Sequence, residues 1–383
     1  MSRAPHLLLA VSAHGYGHLS QVAPVINAVR ERLPNLKLTV QGAFSRELVA
    51  GRIAGDFEQI TEPADVGFAM HGPTVIDWPT TLDWFRSFHR DWDAKLAAEQ
   101  ALLRDRRIDL VVADIPSLPI AAARAVGIPA VAYSSLNWVD TLLENRAVAE
   151  ALSAEIALMR EIYASADWFI LPEPSIPMDW LAEFDRDNRY PVAPVSASPR
   201  DRRDELVQLL NLNPEARLVL VSLGGIPMEE ALTRWPRLEG VQWLVDAEAD
   251  PARPDQISIQ GLNWPFPDLI GSVDLLVTKP GYGTFTEAAR CGIPVLNIER
   301  TDWAESRYLI EWLKTIVPMI TVALDKVRSG AIGDEILTLL AQGRRPGIQE
   351  NGVAPARELI LYSLKSGIPR SHTDNEFRTG DNQ

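Results

Sequence analysis

Cysteine is almost absent from the 383-residue sequence, which contains Cys291 and no other. One thiol cannot form an internal disulfide, and no group of cysteines and histidines has the spacing of a structural zinc site. This composition is typical of a protein from a reducing compartment. We expect a cytoplasmic location, with peripheral association at the inner membrane surface as the alternative.

Long apolar segments are also missing. The longest apolar region, 110–134, is interrupted by Asp114, Arg124 and several prolines, so one helix cannot carry it across a bilayer. The apolar run 6–12 lacks the basic leader of a signal peptide and continues directly into a loop of glycines and histidines. We therefore expect a buried strand at 6–12 and no integral membrane segment.

Basic residues are too few to balance the acidic ones: 37 Lys and Arg stand against 51 Asp and Glu, a net charge of −14. Nucleic-acid binding depends on clustered Lys and Arg, so we expect no nucleic-acid partner. An anionic ligand would have to be held by helix dipoles and a few well-placed cations.

What the sequence contains is the pattern of two α/β units. Short apolar runs alternate with helical patterns from residue 6 to 172 and again from residue 217 to 322, which predicts parallel sheets covered by helices. A segment rich in Pro, Ser and charge, 190–205, reads as the linker. We predict an N-terminal Rossmann-like domain over 1–193, a C-terminal one over 194–365 and a disordered tail over 366–383.

The clearest helix follows the first strand. Leu19, Val22, Ile26, Val29 and Leu33 recur at alternating spacings of three and four and form one apolar stripe. Pro24 suits only the first turn of such a helix. The loop before the helix then lies at the carboxyl end of the first strand, where open α/β sheets bind ligands.

That loop supplies the first candidate site, with two glycines in a tight turn flanked by His14 and His18. An imidazole accepts a proton from a hydroxyl near neutral pH, so both histidines are candidate catalytic bases. Asp114 ends another strand at the same sheet edge and is a candidate to orient His18. The alternatives are a structural role for the histidines and a capping or turn role for Asp114.

The stretch 61–92 is rich in aromatic residues without clear periodicity. One interpretation is a ligand-binding wall, because flat rings stack on sugars or contact lipids; the other is local packing over the sheet edge.

The second candidate site combines two glycine-rich loops, Ser222–Gly224–Gly225 and the sequence KPGYGTFTE from Lys279 to Glu287. Glycines let the backbone approach an anion closely, and a helix opening near Thr284 would offer free N–H groups to a diphosphate. Glu287 lies one turn into that helix, where its carboxylate can accept hydrogen bonds from both hydroxyls of a ribose. A capping box between Thr284 and Glu287 has the same spacing and is the structural alternative.

A further loop, ERTDWAES from residue 299 onward, follows the next strand of the same unit. It presents Asp302, Trp303 and Glu305 as candidates for the hydroxyls of a bound sugar, or else simply begins a capped helix.

With these motifs in order, the chain resembles the glycosyltransferase B-fold (GT-B) superfamily. It is similar to the branch containing the bacterial peptidoglycan N-acetylglucosaminyltransferase and to the glycosyltransferase-like domain joined to plant arabinose kinases. The resemblance implies two Rossmann-like domains facing across a cleft, with His18 as the base. It departs at Gln21, where the peptidoglycan enzymes have proline.

The resemblance implies a transferase of the hexosyl or N-acetylhexosaminyl type. No cofactor is implied beyond a nucleotide-sugar cosubstrate, with a UDP-sugar favoured, and the acceptor is a glycan, lipid or small molecule. The resemblance implies donor-binding roles for Gly281, Gly283, Thr284 and Glu287. The glycine-rich loops and the acidic loop themselves predict further donor-binding residues: Ser222, Gly224, Gly225, Lys279, Tyr282, Asp302 and Glu305. The acceptor side is predicted to contain Gly17, His71, Trp78 and Trp84.

We expect inversion at the anomeric carbon without a metal ion. The pairs Asp91/Asp93 and Asp185/Asp187 have metal-binding spacing but do not follow strands, and we interpret both as surface charge. Two alternatives stay open: a nucleotide-sugar epimerase or hydrolase, and a noncatalytic module that binds nucleotide sugars or docks another protein.

Overall fold

A computed structural model describes residues 3–14, 17–71, 75–184, 187–223, 232–248, 250–300 and 302–366. The predicted disordered tail lies outside the described residues, apart from Ser366, which ends the last helix.

The first half of the chain contains a sheet of seven parallel strands in the order β3-β2-β1-β6-β7-β8-β9. The strands are β1 (His6–Val11), β2 (Lys37–Gln41), β3 (Glu58–Ile60), β6 (Leu110–Asp114), β7 (Ala130–Tyr133), β8 (Trp168–Pro172) and β9 (Arg189–Val192). Five of them were predicted from apolar runs. The edge strands β3 and β9 were not, because each is short and more polar.

Both faces of this sheet are buried, which explains the continuous apolar sequence of β1. Leu8 and Ala10 lie in the core on one face, whereas Leu7, Leu9 and Val11 lie in the core on the other. Side chains of a strand alternate between faces, so a central strand with helices on both sides has no polar face.

Eight helices described in the first half cover the sheet and its edges. They are α1 (Gly17–Arg32), α2 (Arg46–Ala50), α3 (Trp78–Arg90), α4 (Trp92–Arg106), α5 (Ser117–Val126), α6 (Trp138–Leu143), α7 (Arg146–Ala151) and α8 (Ser153–Ser165). A small antiparallel hairpin joins β4 (Met70–His71) to β5 (Val75–Ile76), and a 3₁₀ helix spans Asp179–Glu183.

Helix α1 corrects the prediction for Pro24. The helix begins at Gly17, so the proline lies in its interior instead of its first turn. A proline has no N–H for the carbonyl four residues earlier and crowds the preceding turn. The next carbonyl, that of Gln21, accepts a hydrogen bond from the Tyr133 hydroxyl at 3.0 Å, which provides a partner outside the helix.

The second half contains a parallel sheet of six strands in the order β12-β11-β10-β13-β14-β15. All six were predicted: β10 (Arg217–Ser222), β11 (Val241–Val245), β12 (Gln256–Ser258), β13 (Leu275–Thr278), β14 (Val295–Ile298) and β15 (Met319–Val322). The helices described here are α9 (Arg203–Leu209), α10 (Phe266–Gly271), α11 (Tyr282–Cys291), α12 (Glu305–Ile316), α13 (Leu324–Ser329) and α14 (Gly333–Gln342).

The last helix, α15 (Val353–Ser366), returns to the first half. Ala356, Leu359 and Ile360 are buried in the core between α1 and the first sheet. This differs from the predicted division, which placed the chain up to residue 365 in the second unit, because helical periodicity does not reveal which sheet a helix packs against. The boundary between the predicted units 1–193 and 194–365, at residues 193 and 194, stays a prediction.

Each sheet reverses its strand order beside its first strand, between β1 and β6 in one half and between β10 and β13 in the other. A crevice opens at the carboxyl ends of strands at such a point. Both candidate sites follow these strands, and α1 packs against α11 across the two halves.

Candidate functional site

His18 and Asp114 form a buried pair at the carboxyl edge of the first sheet. His18 lies in the first turn of α1 and Asp114 ends β6, with His18 Nδ1 at 3.2 Å from Asp114 Oδ1. The Asp114 side chain is fully buried and that of His18 nearly so. The structure thus brings together the two residues that the sequence suggested as base and orienting carboxylate.

The surroundings of His18 favour its protonated form. Burial by itself would lower the pKa of His18, but Asp114 raises it, with further contributions from Glu305 and Asp65, and the net pKa is raised. A carboxylate that accepts a hydrogen bond from Nδ1–H keeps the proton of the neutral ring on Nδ1 and leaves Nε2 as the basic atom. The pair can therefore take a proton at Nε2 and stabilise the resulting charge.

His14 lies near His18 but has a different environment. Its ring stacks on Trp303 at 5.1 Å between centroids, meets Trp138 edge to face at 5.5 Å, and accepts a hydrogen bond at Nδ1 from the Phe68 N–H at 3.2 Å. Burial lowers the pKa of His14 to about 3, with His18, Arg300 and Lys279 contributing. His14 is consequently a neutral imidazole at ordinary pH.

In the second half, α11 opens with an uncapped first turn. Gly281 is the N-cap residue and no side chain caps the helix. The capping box between Thr284 and Glu287 is therefore not formed, and the helix begins at Tyr282, two residues before the predicted opening. A Cβ atom added to Gly281 or Gly283 would meet no atom within 4 Å, so the backbone of this turn borders open space.

Glu287 has an unusual environment for a carboxylate. It is partly exposed, and it has no hydrogen-bond or ion-pair partner among the described residues. Burial raises the pKa of Glu287 to about 8, and Arg52 of the first half opposes the shift. Such a carboxylate is available to a ligand between the halves.

Two cations follow neighbouring strands of the second sheet. Lys279 comes after β13 and Arg300 follows the end of β14, and neither has an ion-pair partner within the described part of the chain. Burial lowers the pKa of Lys279 to about 8 and that of Arg300 to about 10, with Arg300 adding to the shift of Lys279. Lys279 was predicted, whereas Arg300 was missed; its position directly after the strand was the available signal.

The loop after Arg300 contacts the first half. Asp302 Oδ2 accepts a hydrogen bond from the Ile76 N–H at 2.7 Å, and Glu305 Oε1 accepts one from the Ser135 hydroxyl at 2.6 Å. Trp303 is buried in the first-half core, against His14, Phe68 and Trp138. That Asp302 and Glu305 contact a donor sugar stays a prediction. Trp303 packs between the halves.

Gln21 is hydrogen-bonded to the Ser135–Glu305 pair that links the two halves. Its side-chain amide donates to the Ser135 hydroxyl at 2.9 Å, and that hydroxyl donates to Glu305. Gln21 therefore provides a side chain that helps connect the halves. Ser135 and this role of Gln21 were not found from the sequence, because neither has a motif of its own.

Tyr282 was predicted to bind the donor, but its ring is buried. Its hydroxyl donates to the Glu173 carbonyl at 3.0 Å and accepts from the Val195 N–H at 2.9 Å. Both hydrogen-bonding functions of this hydroxyl are therefore used within the protein.

Of the remaining predicted donor-binding residues, the structure describes Ser222 but not Gly224 or Gly225. Ser222 ends β10 directly beside Thr278 of β13, at the predicted sheet edge. Gly224 and Gly225 lie outside the described residues.

The predicted acceptor residues divide into two groups. Trp84 is 45% exposed and lines an open cavity of about 480 Å³ together with Val66, Gly67, Ser87 and Phe88. Gly67 lies directly against the His14 ring, which connects the cavity wall to the site.

Three predicted acceptor residues do not line that cavity. Trp78 packs against Phe68 at 5.9 Å, which supports the local-packing alternative for this residue. His71 is exposed and lies 3.4 Å from Asp77. Gly17 begins α1 and is exposed.

Within the described residues, every helix is too short or too polar to cross a bilayer. No group of three or more His, Cys, Asp or Glu side chains within the same residues has the arrangement of a metal site. Asp91 is a surface carboxylate near Lys95, as predicted, and Asp185 lies outside the described residues.

No known protein-family profile matches the chain. Among curated proteins, it is similar to the L-arabinokinase of Arabidopsis thaliana, with 22% identity over 320 residues. The match covers 81% of this chain and 30% of the plant protein, so the chain spans less than a third of that relative's length.

Solved structures resemble the chain along nearly its whole length. A kitacinnamycin glycosyltransferase has a TM-score of 0.59, 18% identity, and coverage of 95% of this chain and 100% of its own. UGT2 of Phytolacca americana, complexed with UDP-2-fluoroglucose and pterostilbene, has a TM-score of 0.60, 13% identity, and coverage of 95% and 94%. MurG of Acinetobacter baumannii has a TM-score of 0.54, 14% identity, and coverage of 94% and 99%. Together with the two parallel sheets, this likeness confirms the predicted architecture: the chain has the two-domain α/β fold of the GT-B glycosyltransferases.

Proposed function

We propose that the protein is a glycosyltransferase that moves a sugar from a nucleoside-diphosphate donor to an acceptor hydroxyl. The observation that carries the proposal is the buried His18–Asp114 pair in one half, with the uncapped turn of α11 and the unpartnered Glu287 in the other. An acid–base group and an anion-binding turn on opposite sides of a cleft are what transfer from a diphosphate requires.

On the acceptor side, His18 is the proposed base. Because Asp114 accepts a hydrogen bond from Nδ1–H, the proton stays on Nδ1 and Nε2 is free to take the proton of the attacking hydroxyl. We propose that the acceptor, a glycan, lipid or small molecule, enters past the cavity lined by Trp84 and Gly67. Attack from this side and departure toward the other half would invert the anomeric carbon.

On the donor side, the proposed diphosphate site is the first turn of α11. The N–H groups of Gly283 and Thr284 carry the positive end of the helix dipole, and Lys279 adds a charge nearby. Gly224 and Gly225 are proposed partners in the same task. Glu287 is proposed to accept hydrogen bonds from the ribose hydroxyls, and no metal ion is part of the proposal.

Support for the donor class comes from the structural neighbours. The Phytolacca americana enzyme is complexed with UDP-2-fluoroglucose, and a similar fold makes a UDP-sugar the first donor to test. A hexosyl or N-acetylhexosaminyl donor, a cytoplasmic location and peripheral contact with the inner membrane surface belong to the same proposal.

Donor binding and turnover test the proposal separately. UDP, other nucleoside diphosphates and their sugars are first screened by thermal shift, since a ligand that binds the folded state raises the melting temperature. UDP release is then measured with and without mixtures of candidate acceptors. We expect stabilisation by one nucleotide class and release that depends on an acceptor, with His18→Ala lowering turnover roughly 10²–10⁴-fold at similar donor affinity.

Other outcomes identify the alternatives. Nucleotide-sugar conversion or hydrolysis at full rate without acceptor would replace the proposal with an epimerase or hydrolase. Donor binding that persists with no product in any acceptor mixture would indicate a noncatalytic module. No stabilisation by any nucleotide or nucleotide sugar would remove the donor site itself.

A further inference from the structure

The ring of His14 is fixed on several sides. Trp303 stacks on it with an interplanar angle of 12°, and Phe68 and Trp138 meet it edge to face. At Gly67 even a Cβ atom would approach the ring to 2.7 Å. A ring with so many close neighbours keeps one orientation.

The tautomer of His14 follows from one hydrogen bond. The Phe68 N–H can only donate, so the Nδ1 atom that receives it at 3.2 Å carries no proton. A neutral imidazole then carries its proton on Nε2. Within the described residues, no hydrogen bond uses that Nε2–H group, so it is available to a ligand.

Unpaired cations from the other half accompany this donor. Lys279 and Arg300 influence the ionisation of His14, and the Arg300 guanidinium lies 4.1 Å above the Trp303 ring on which His14 stacks. Asp302 and Glu305 favour the charged form of Arg300 without forming an ion pair with it. By contrast, the charged neighbour that shifts the pKa of Lys279 is Arg300, which repels it. An anion with two or more charges would relieve this repulsion.

We propose that His14 is a catalytic hydrogen-bond donor to the diphosphate leaving group, acting from the first half together with Lys279 and Arg300 of the second. This inference rests on the proposed function and gives His14 a different role from His18. It also accounts for the unlike surroundings of two histidines only four residues apart: His18 must gain a proton, and His14 must keep the proton it has.

The transfer step balances with these groups. The acceptor oxygen forms the new bond to the anomeric carbon while its proton passes to Nε2 of His18. The bond between the anomeric carbon and the donor's phosphate oxygen breaks, and its electron pair stays on that oxygen. The developing negative charge receives the hydrogen bond from His14 Nε2–H and the fields of Lys279 and Arg300.

Inorganic pyrophosphate and UDP are the probes for the test, with binding measured by calorimetry. We expect His14→Phe to bind both roughly 10–100-fold more weakly, as for loss of a hydrogen bond to a charged group, because a phenyl ring keeps the stacking but has no donor. Turnover should fall roughly 10²–10³-fold, and His14→Gln, which restores an N–H, should recover part of both.

His89→Phe is the matched control, since His89 also stacks flat on a tryptophan, Trp92, at 5.4 Å and 8°. It should leave pyrophosphate and UDP affinity unchanged. Equal affinity of wild type and His14→Phe for both probes would overturn the inference and leave the proposed function standing. Failure of wild type to bind UDP or any other nucleoside diphosphate would instead count against the proposed function.

Discussion

Ionisation of the histidines in this site depends on which neighbours each ring touches. His18 contacts a carboxylate and has a raised pKa, whereas His14 contacts an N–H donor and three aromatic rings and has a pKa lowered to about 3. The two residues are four positions apart, His14 before α1 and His18 in its first turn. Residue type alone therefore assigns neither role, and the neighbours decide both.

Asp114→Asn should reduce turnover roughly 10²–10⁴-fold, because the neutral amide no longer stabilises protonated His18. Asp114 raises the pKa of His18, so its loss lowers that pKa and the acidic limb of the rate profile moves to lower pH. The measurement is kcat/KM against pH. Asp109→Asn, at the start of the same strand segment and paired with Arg3, is the control; an unshifted profile in the Asp114 variant would contradict the assigned role.

Glu287→Gln should stabilise the fold at alkaline pH while weakening donor binding. The folded pKa is about 8 against an ordinary value of 4.5, so between these values the unfolded chain loses a proton that the folded protein keeps, and stability falls as pH rises. We expect a gain of about 1–2 kcal/mol at pH 8, discounted for partial exposure, and almost none at pH 4. Denaturant melts at both pH values measure it.

Glu311→Gln on the exposed face of α12 is the control for that experiment. A stability gain in Glu287→Gln that does not change between the two pH values would show that burial of the charge is not the cause.

Side chains that end a strand or come soon after one have positions that the sequence predicts, although their roles stay a prediction. His18, Asp114 and Lys279 could be placed at sheet edges from the apolar runs before them. The roles of Gln21 and Ser135 could not be predicted, because the Gln21–Ser135 hydrogen bond joins distant parts of the first half and the Ser135–Glu305 bond depends on how the two halves meet. Tyr282 was assigned to the ligand because a tyrosine in a glycine-rich loop does not reveal that its hydroxyl reaches Glu173 and Val195.

At the scale of single elements, α11 is a helix whose first turn has no side-chain cap, because its N-cap residue is Gly281. Gly281 and Gly283 have no side chains to cover the free N–H groups at the start of the helix. Further along the helix, Phe285, Ala288 and Ala289 are buried in the core. The element was predicted correctly except for its first residues, because cap geometry depends on the loop before it. The same limit explains the error at Pro24.

Gly283→Ala should separate ligand binding from stability. The new Cβ meets no atom within 4 Å, and alanine favours a helix over glycine by up to about 1 kcal/mol, so the free protein should melt at the same or a higher temperature. The methyl group occupies space beside the proposed phosphate position, and the thermal shift produced by UDP should shrink.

Gly333→Ala, in the first turn of α14, is the matched control because its Cβ would make ordinary contacts at 3.6 Å. It should leave the UDP-induced shift unchanged. An undiminished shift in Gly283→Ala would place the diphosphate elsewhere.

At the scale of the whole molecule, the halves are joined through packing as well as through the chain. Trp303 lies in the first-half core, Asp302 and Glu305 hydrogen-bond to the first half, and α15 covers the first sheet. The two sheets were predictable from periodicity, but these contacts between the halves were not. A local sequence pattern does not show which distant segment a residue or helix packs against.

Leu359→Asp should destabilise the first half even though it lies near the end of the described chain. Leu359 is 1% exposed in the core with α1, and burying an unpaired carboxylate there should cost about 3 kcal/mol or more. Ala354→Asp, exposed in the first turn of the same helix, is the control and should be nearly neutral. Equal melting temperatures for the two variants would contradict the packing of α15.

The return of α15 means that the chain passes between the halves twice, once after β9 and once before Val353. The two passages touch where the Gly352 N–H donates to the Pro194 carbonyl at 3.1 Å, and a side chain at position 352 would collide with the Ala193 carbonyl. A domain joined to its neighbour by two adjacent segments can rotate about that hinge, but it has less rotational freedom than a domain joined by a single linker. Opening of this molecule should therefore follow a single path, with the greatest displacement at the rim farthest from Pro194.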